Sequence, residues 1–174
     1  TLKLISKILY PNTGSVNVEG KVSALLELGT GFHPDLTGRE NIFLNGSLLG
    51  MSRKAMEGLY EQVVDFAELG QFIEQPIKWY SSGMVMRLGF AVAINVNPDI
   101  LITDEVLAVG DETFQRKCME AIATIRRSGK TIISVSTAPD AVRALSSPAL
   151  WLDPARAPPD ARPAVTPPPT LSHP

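Results

Sequence analysis

The sequence predicts an α/β fold: a parallel sheet with helices on its faces and an inserted helical subdomain. Three observations carry this reading. From residue 82 onward, helical and strand patterns alternate, the order that builds a parallel sheet. The strand patterns there, Ile100–Thr103 and Lys130–Ser136, are short and rich in β-branched residues, as fits strands covered on both faces. Residues 37–79 are almost wholly helical in pattern.

Each element has its own signal. Thr1–Leu9 reads as an amphipathic helix with Leu2, Ile5 and Leu9 on one face, and it begins in mid-pattern, which suggests a segment upstream. Pro11–Gly14 is a turn. Ser15–Gly20 alternates and stops at glycine, so it reads as a strand; Val22–Leu28 is a second, more apolar one. A loop follows through Gly29, Gly31 and Pro34. Thr37-Gly38-Arg39-Glu40 has capping-box spacing and opens a helix. Ser52 caps another, running to about Leu69-Gly70, with Met56, Leu59, Val63 and Phe66 on its apolar side. Pro76 interrupts the next stretch. Ser82–Asn95 is helical and Pro98 ends it. Glu112–Arg127 is an amphipathic helix closed by Ser128-Gly129. Pro139–Leu145 is a short helix and Ala149–Leu152 a last strand. Residues 1–153 thus form one partial α/β domain. Eight of the 14 prolines fall in 154–174, a composition expected to stay disordered or polyproline-like.

The bulk properties exclude several function classes. A net charge of −2 gives no electrostatic reason to expect a nucleic-acid partner. A single cysteine, Cys118, rules out an internal disulfide framework and reads as a small buried hydrophobe. No run approaches the ~18 apolar residues that span a bilayer, and no signal peptide is expected.

Two motifs carry chemistry. Ile100-Leu101-Ile102-Thr103-Asp104-Glu105 is an apolar strand ending in two carboxylates. Such acids either cap the next turn, or lie in the crevice beyond the strand ends, where an aspartate holds Mg²⁺ and the next glutamate polarises a water. The connector Val106–Gly110 reaching a further acid, Asp111, is longer than a capping turn needs and favours the second reading. Tyr80-Ser81-Ser82-Gly83-Met84 opens a helix. It is either a plain N-cap or an anion site made from backbone N–H groups, a hydroxyl and the helix dipole.

Ser128-Gly129-Lys130-Thr131 imitates the end of a phosphate-binding loop. Thr124 stands where that pattern needs its first glycine, and a helix leads into a strand rather than the reverse. The 174 residues contain no such loop. The two histidines, His33 and His173, follow no buried strand, and His33 reads as a solvated loop residue.

In this order these residues resemble the nucleotide-binding subunit of ABC transporters, a P-loop NTPase-like fold whose first strand and P-loop would precede Thr1. Tyr80–Met84 looks like the signature motif, departing from Leu-Ser-Gly-Gly-Gln at three of five places; Ile100–Glu105 looks like the Walker B strand and catalytic glutamate. Ala108–Asp111 lies at the D-loop and Glu27 at about the Q-loop position. Glu27, the run Leu26–Pro34, the Tyr-Ser-Ser-Gly-Met signature and Val-Gly-Asp-Glu resemble the subgroup exporting bacterial O-antigen, capsule or teichoic acid. The resemblance spans Thr1 to about Ser136. It implies ATP and Mg²⁺ as cofactors, with Asp104 serving the metal and Glu105 the attacking water. Tyr80, Ser81, Ser82, Gly83, Met84, Glu27 and Asp111 would then contribute to nucleotide binding. It further implies a head-to-tail dimer with a second ATP-binding subunit, a transmembrane permease partner, and a place at the cytoplasmic face of the plasma membrane. Thr137 stands where the family places its switch histidine, and a threonine hydroxyl carries no positive charge. A short, proline-punctuated segment between Glu27 and Tyr80 weighs against the soluble DNA-repair branch, which inserts a long coiled coil there. A non-catalytic subunit lending its signature to a competent partner is the remaining alternative.

Overall fold

The computed structural model of the chain describes residues 2–6, 8–25, 28–104, 110–135, 149–150 and 165–166. The chain divides into two compact units, Thr1–Ile133 and Ser134–Pro174. The elements are α1 (Leu2–Ile5), β1 (Val22–Ala24), α2 (Gly38–Leu48), α3 (Arg53–Ala67), two 3₁₀ turns (Gly70–Glu74 and Ile77–Trp79), α4 (Ser82–Asn95), β2 (Ile100–Asp104), α5 (Glu112–Arg127) and β3 (Thr131–Val135). In the second unit β4 (Ala149–Leu150) pairs antiparallel with β5 (Val165–Thr166), a pairing that composition did not suggest. The expected helix Pro139–Leu145 lies outside the described residues, as does Thr137.

The sheet is ordered β1-β2-β3, with Val22, Ser23 and Ala24 running parallel opposite Ile100, Leu101 and Ile102. Asp99 stitches the strand starts together. Its carboxylate accepts from the Lys130 ammonium at 2.8 Å and from the Lys21 N–H at 2.9 Å, and its carbonyl accepts from the Thr131 N–H at 3.0 Å. These donors, Lys130 foremost, hold the Asp99 carboxyl below the usual carboxylate range. With the amino ends gathered there, the carboxyl ends of the strands share the opposite edge, the ligand-binding edge of a parallel sheet.

The helices start where short-range chemistry dictates. Thr37 and Glu40 close both bonds of a capping box at α2, and Ser52 Oγ accepts from the Ala55 N–H at α3. Helix α4 is apolar all round over Leu88–Ala93, all buried, so this stretch needs cover on every side. Ile42 of α2 and Met56 and Val63 of α3 join its Leu88 and Val92 in one core. On its other side Ser23 of β1 donates its hydroxyl to the Ala93 carbonyl at 3.0 Å. Phe66, Phe90 and Phe114, with ring centroids 5.7–6.4 Å apart, join α3, α4 and α5. Cys118 is buried, as expected, and burial pushes its thiol up to about 12.

Several expected elements differ. The strand expected over Val22–Leu28 spans only Val22–Ala24, and Leu28 already lies in a turn. Residues 15–19 form no strand: alternation needs a neighbouring ladder, and Val16 is left exposed with no strand beside it among the described residues. The first helix shrinks to Leu2–Ile5 with no buried residue, because a short amphipathic helix without a packing surface does not propagate. Pro76 interrupts the helical stretch as expected, standing between the two 3₁₀ turns. Its segment pairs with the approach to α2, as the Ile77 N–H reaches the Leu36 carbonyl and the Lys78 N–H the Pro34 carbonyl.

Candidate functional site

The Tyr80–Met84 turn is built from the helix outward. Ser81 is the N-cap of α4, with extended backbone, and its Oγ accepts from the Met84 N–H at 3.2 Å. Helix geometry leaves the N–H groups of Ser82 and Gly83 without intrahelical acceptors. Ser81 and Ser82 are exposed. A methyl group on Gly83 would meet nothing nearer than Ser81 Oγ at 3.8 Å, so the space above the turn is open. Two N–H groups without intrahelical acceptors, two hydroxyls and a positive helix end suit an anion such as a phosphate.

Tyr80 points away from that opening. Its hydroxyl donates to the Phe72 carbonyl at 2.6 Å, and burial pushes it up to about 12. Gly38 makes room for it: a Cβ there would collide with Tyr80 Oη. Met84 packs on the helical core. Tyr80 and Met84 therefore hold the turn in place, while Ser81, Ser82 and Gly83 present its polar atoms.

Asp104 is the last residue of β2, at the sheet's ligand-binding edge. The buried Thr103 hydroxyl just before it has no hydrogen-bond partner among the described residues. Glu105 and Glu27 lie outside the described residues. No cluster of three or more His, Cys, Asp or Glu that could hold a metal occurs among the described residues. Asp111 is the N-cap of α5: its Oδ1 accepts from the Phe114 N–H at 2.9 Å, and this bond foremost holds its carboxyl below the usual range.

Arg87, which the sequence reading passed over, connects these pieces. It lies on α4, and its guanidinium donates to Asp111 Oδ2 at 2.7 Å and to Glu68 at 3.2 Å. The signal for it was present: Arg87 is the single charged residue in the fourteen of α4. His33 is exposed; its N–H donates to Asn41 Oδ1 at 2.6 Å, and its ring Nδ1 accepts from the Asp35 N–H at 3.3 Å.

A parallel sheet flanked by helices, an open signature-like turn at a buried helix and an acid at the end of the middle strand define a nucleotide-binding domain of the cassette type. The chain belongs to the ABC transporter family, whose model matches residues 1–108. It is 48% identical over 153 residues to the O-antigen export system ATP-binding protein RfbB of Klebsiella pneumoniae, covering 88% of this chain and 62% of that protein. It is 49% identical to RfbB of Myxococcus xanthus (87% and 35%) and 42% identical to the teichoic acids export ATP-binding protein TagH of Bacillus anthracis (86% and 27%). The chain therefore spans less than two thirds of the length of these relatives. Among solved structures it is similar to the dimeric bacterial ABC transporter cassette MJ0796, with a TM-score of 0.57 at 23% identity over 71% of this chain and 55% of that one. That likeness shows the shared fold. No helix among the described residues is long and apolar enough to cross a membrane.

Proposed function

We propose that the chain is part of an ATP-hydrolysing subunit that drives export of a bacterial cell-surface polysaccharide. The observation that carries this reading is the open, N-capped Ser81-Ser82-Gly83 turn at the start of the buried helix α4. The names of the relatives, O-antigen and teichoic acid export proteins, supply the substrate class.

In this reading two subunits pack head to tail at the cytoplasmic face of the plasma membrane. The turn of one faces the nucleotide held by the other. Ser81 Oγ and the Ser82 and Gly83 N–H groups donate toward the γ-phosphate oxygens and are preorganised by the cap, which is how fixed dipoles lower a barrier. ATP with Mg²⁺ would supply the phosphoryl group and the charge neutralisation. Asp104 would hold the metal through water, and the Glu105 carboxylate orients a water and accepts its proton. Asp111 lines the dimer face beside this chain's own Asp104 and Glu105. The helices of 37–79, with Glu27, contact a transmembrane permease and pass on the nucleotide state.

The 174 residues hold no phosphate-binding loop, and Thr137 stands at the switch-histidine position. This supports two further statements. The 174 residues alone do not hydrolyse ATP, and a non-catalytic partner that lends its signature is the second reading. Titration calorimetry with Mg-ATP on this chain, and on the chain joined upstream to a phosphate-binding loop, tests the proposal. Binding in the extended chain alone is expected; micromolar binding with turnover by the 174 residues would defeat it.

A further inference from the structure

We propose that Arg87 is a positioning residue, tying the end of α3 and the start of α5 to the helix that carries the Ser81–Gly83 turn. Three elements meet on its guanidinium. One prong reaches Glu68 at 3.2 Å and another reaches Asp111 at 2.7 Å, while the plane lies 4.6 Å from the Phe114 ring centroid. The side chain is 19% exposed, so the charge is largely withdrawn from water.

Both ends it holds are special points in the chain. Glu68 closes α3 in the left-handed conformation, at φ 56°, which a residue with a side chain adopts only when its surroundings enforce it. Lys117 of α5 reinforces that end, donating to Glu68 at 2.7 Å and to the α3 terminal carbonyls of Phe66 and Asp65 at 3.1 and 3.3 Å. Asp111 ends the connector that starts at Asp104. Just before it, Gly110 has φ 73° and lies so near Arg87 that a Cβ there would stand 3.2 Å from Nε.

Half-exposed ion pairs contribute little to stability. What this one fixes is relative position. Arg87 lies six residues beyond Ser81, about 9 Å along the helix axis. One rigid helix thus carries both the anion-binding turn and the anchor for the far end of the Asp104–Asp111 connector. A shift of the helical unit at Glu68 reaches the connector through one guanidinium. Lysine cannot substitute, because a single ammonium lacks the planar fork that spans two carboxylates.

The role in turnover rests on the ATPase reading; the mechanical tie does not, and the test separates them. In the 174-residue chain, Arg87→Lys should raise amide hydrogen exchange about tenfold at Phe114, Gln115 and Ala67, with Ile42 and Ile122 unchanged. Glu68→Gln, an exposed change, should raise exchange at Ala67 in the same sense. No local change, or a uniform rise at all sites in both variants, would overturn the tie. In the full-length subunit, Arg87→Lys should lower kcat with KM unchanged. Unaltered kcat alongside altered exchange would overturn the positioning role, whereas a wild-type subunit without turnover would defeat only the ATPase reading.

Discussion

Gly89 of α4 rests directly on the backbone of Gly29 in the loop after β1: a Cβ on Gly89 would stand 2.8 Å from the Gly29 nitrogen and 3.4 Å from the Leu28 carbonyl carbon. The contact is reciprocal in kind, since a Cβ on Gly29, which has φ 84°, would press on Val85 at 2.6 Å. The helix that carries the Ser81–Gly83 turn and that loop therefore meet at van der Waals distance through two missing side chains. Gly89→Ala should destabilise the chain by about 1–3 kcal/mol, because backbone rather than a flexible side-chain tip must move. Gly58, inside α3 with open space around its Cβ position, is the control: Gly58→Ala should stabilise by about 0.5–1 kcal/mol. Urea unfolding midpoints check both signs.

Ser52 and Ser81 make the same local bond, each accepting from the N–H three residues on, at 3.2 Å in both cases. Their replacement by alanine should cost a similar ~1 kcal/mol of stability. Only Ser81→Ala should also reduce ATP turnover in a complete subunit. Equal turnover in the two variants would leave Ser81 as a cap alone.

Asn41 organises the loop ahead of α2. It is fully buried; its Nδ2 donates to the carbonyls of His33, Leu36 and Thr37 at 2.9–3.0 Å, and its Oδ1 accepts from the His33 N–H. Asn41→Ala strands these groups and should cost about 2–3 kcal/mol. Asn41→Asp should be worse, since the oxygen that replaces Nδ2 would face three carbonyl oxygens without a donor. Calorimetric melting of the two variants gives the order.

Tyr80 makes alkaline stability pH-dependent. Its phenol is raised by burial to about 12, so above pH ~10 the unfolded chain loses this proton while the folded chain keeps it. The unfolded state then binds fewer protons, and stability falls as pH rises from about 10 toward 12. Tyr80→Phe removes that contribution and should flatten the decline; burial raises Tyr60 as well, so a residual slope is expected. Denaturant midpoints across this range test it, and identical slopes would remove Tyr80 from the account.

What the sequence disclosed follows from range. Capping at Thr37, Ser52 and Ser81 depends on a partner three residues away, so it could be read directly, and α4, α5 and β2 fell within a residue of their expected bounds. Gly129, taken as a helix end rather than part of a phosphate loop, follows α5 with φ 81°. The alternating run 15–20 misled because alternation reports a face and not a neighbour. The Arg87 tie and the Tyr80–Phe72 bond join segments that only the fold brings together, and Glu68 gives no sign in sequence of its left-handed turn. Of the site, Ser81–Gly83 was visible as a pattern; that Tyr80 braces it from behind was not.

The most direct test of the central claim is Mg-ATP turnover by the chain joined upstream to a phosphate-binding loop, with and without Glu105→Gln. The account predicts that the variant still binds Mg-ATP and loses turnover by about 10²–10⁴-fold, the range of a positioned general base. Turnover equal to that of the unmodified protein would contradict it.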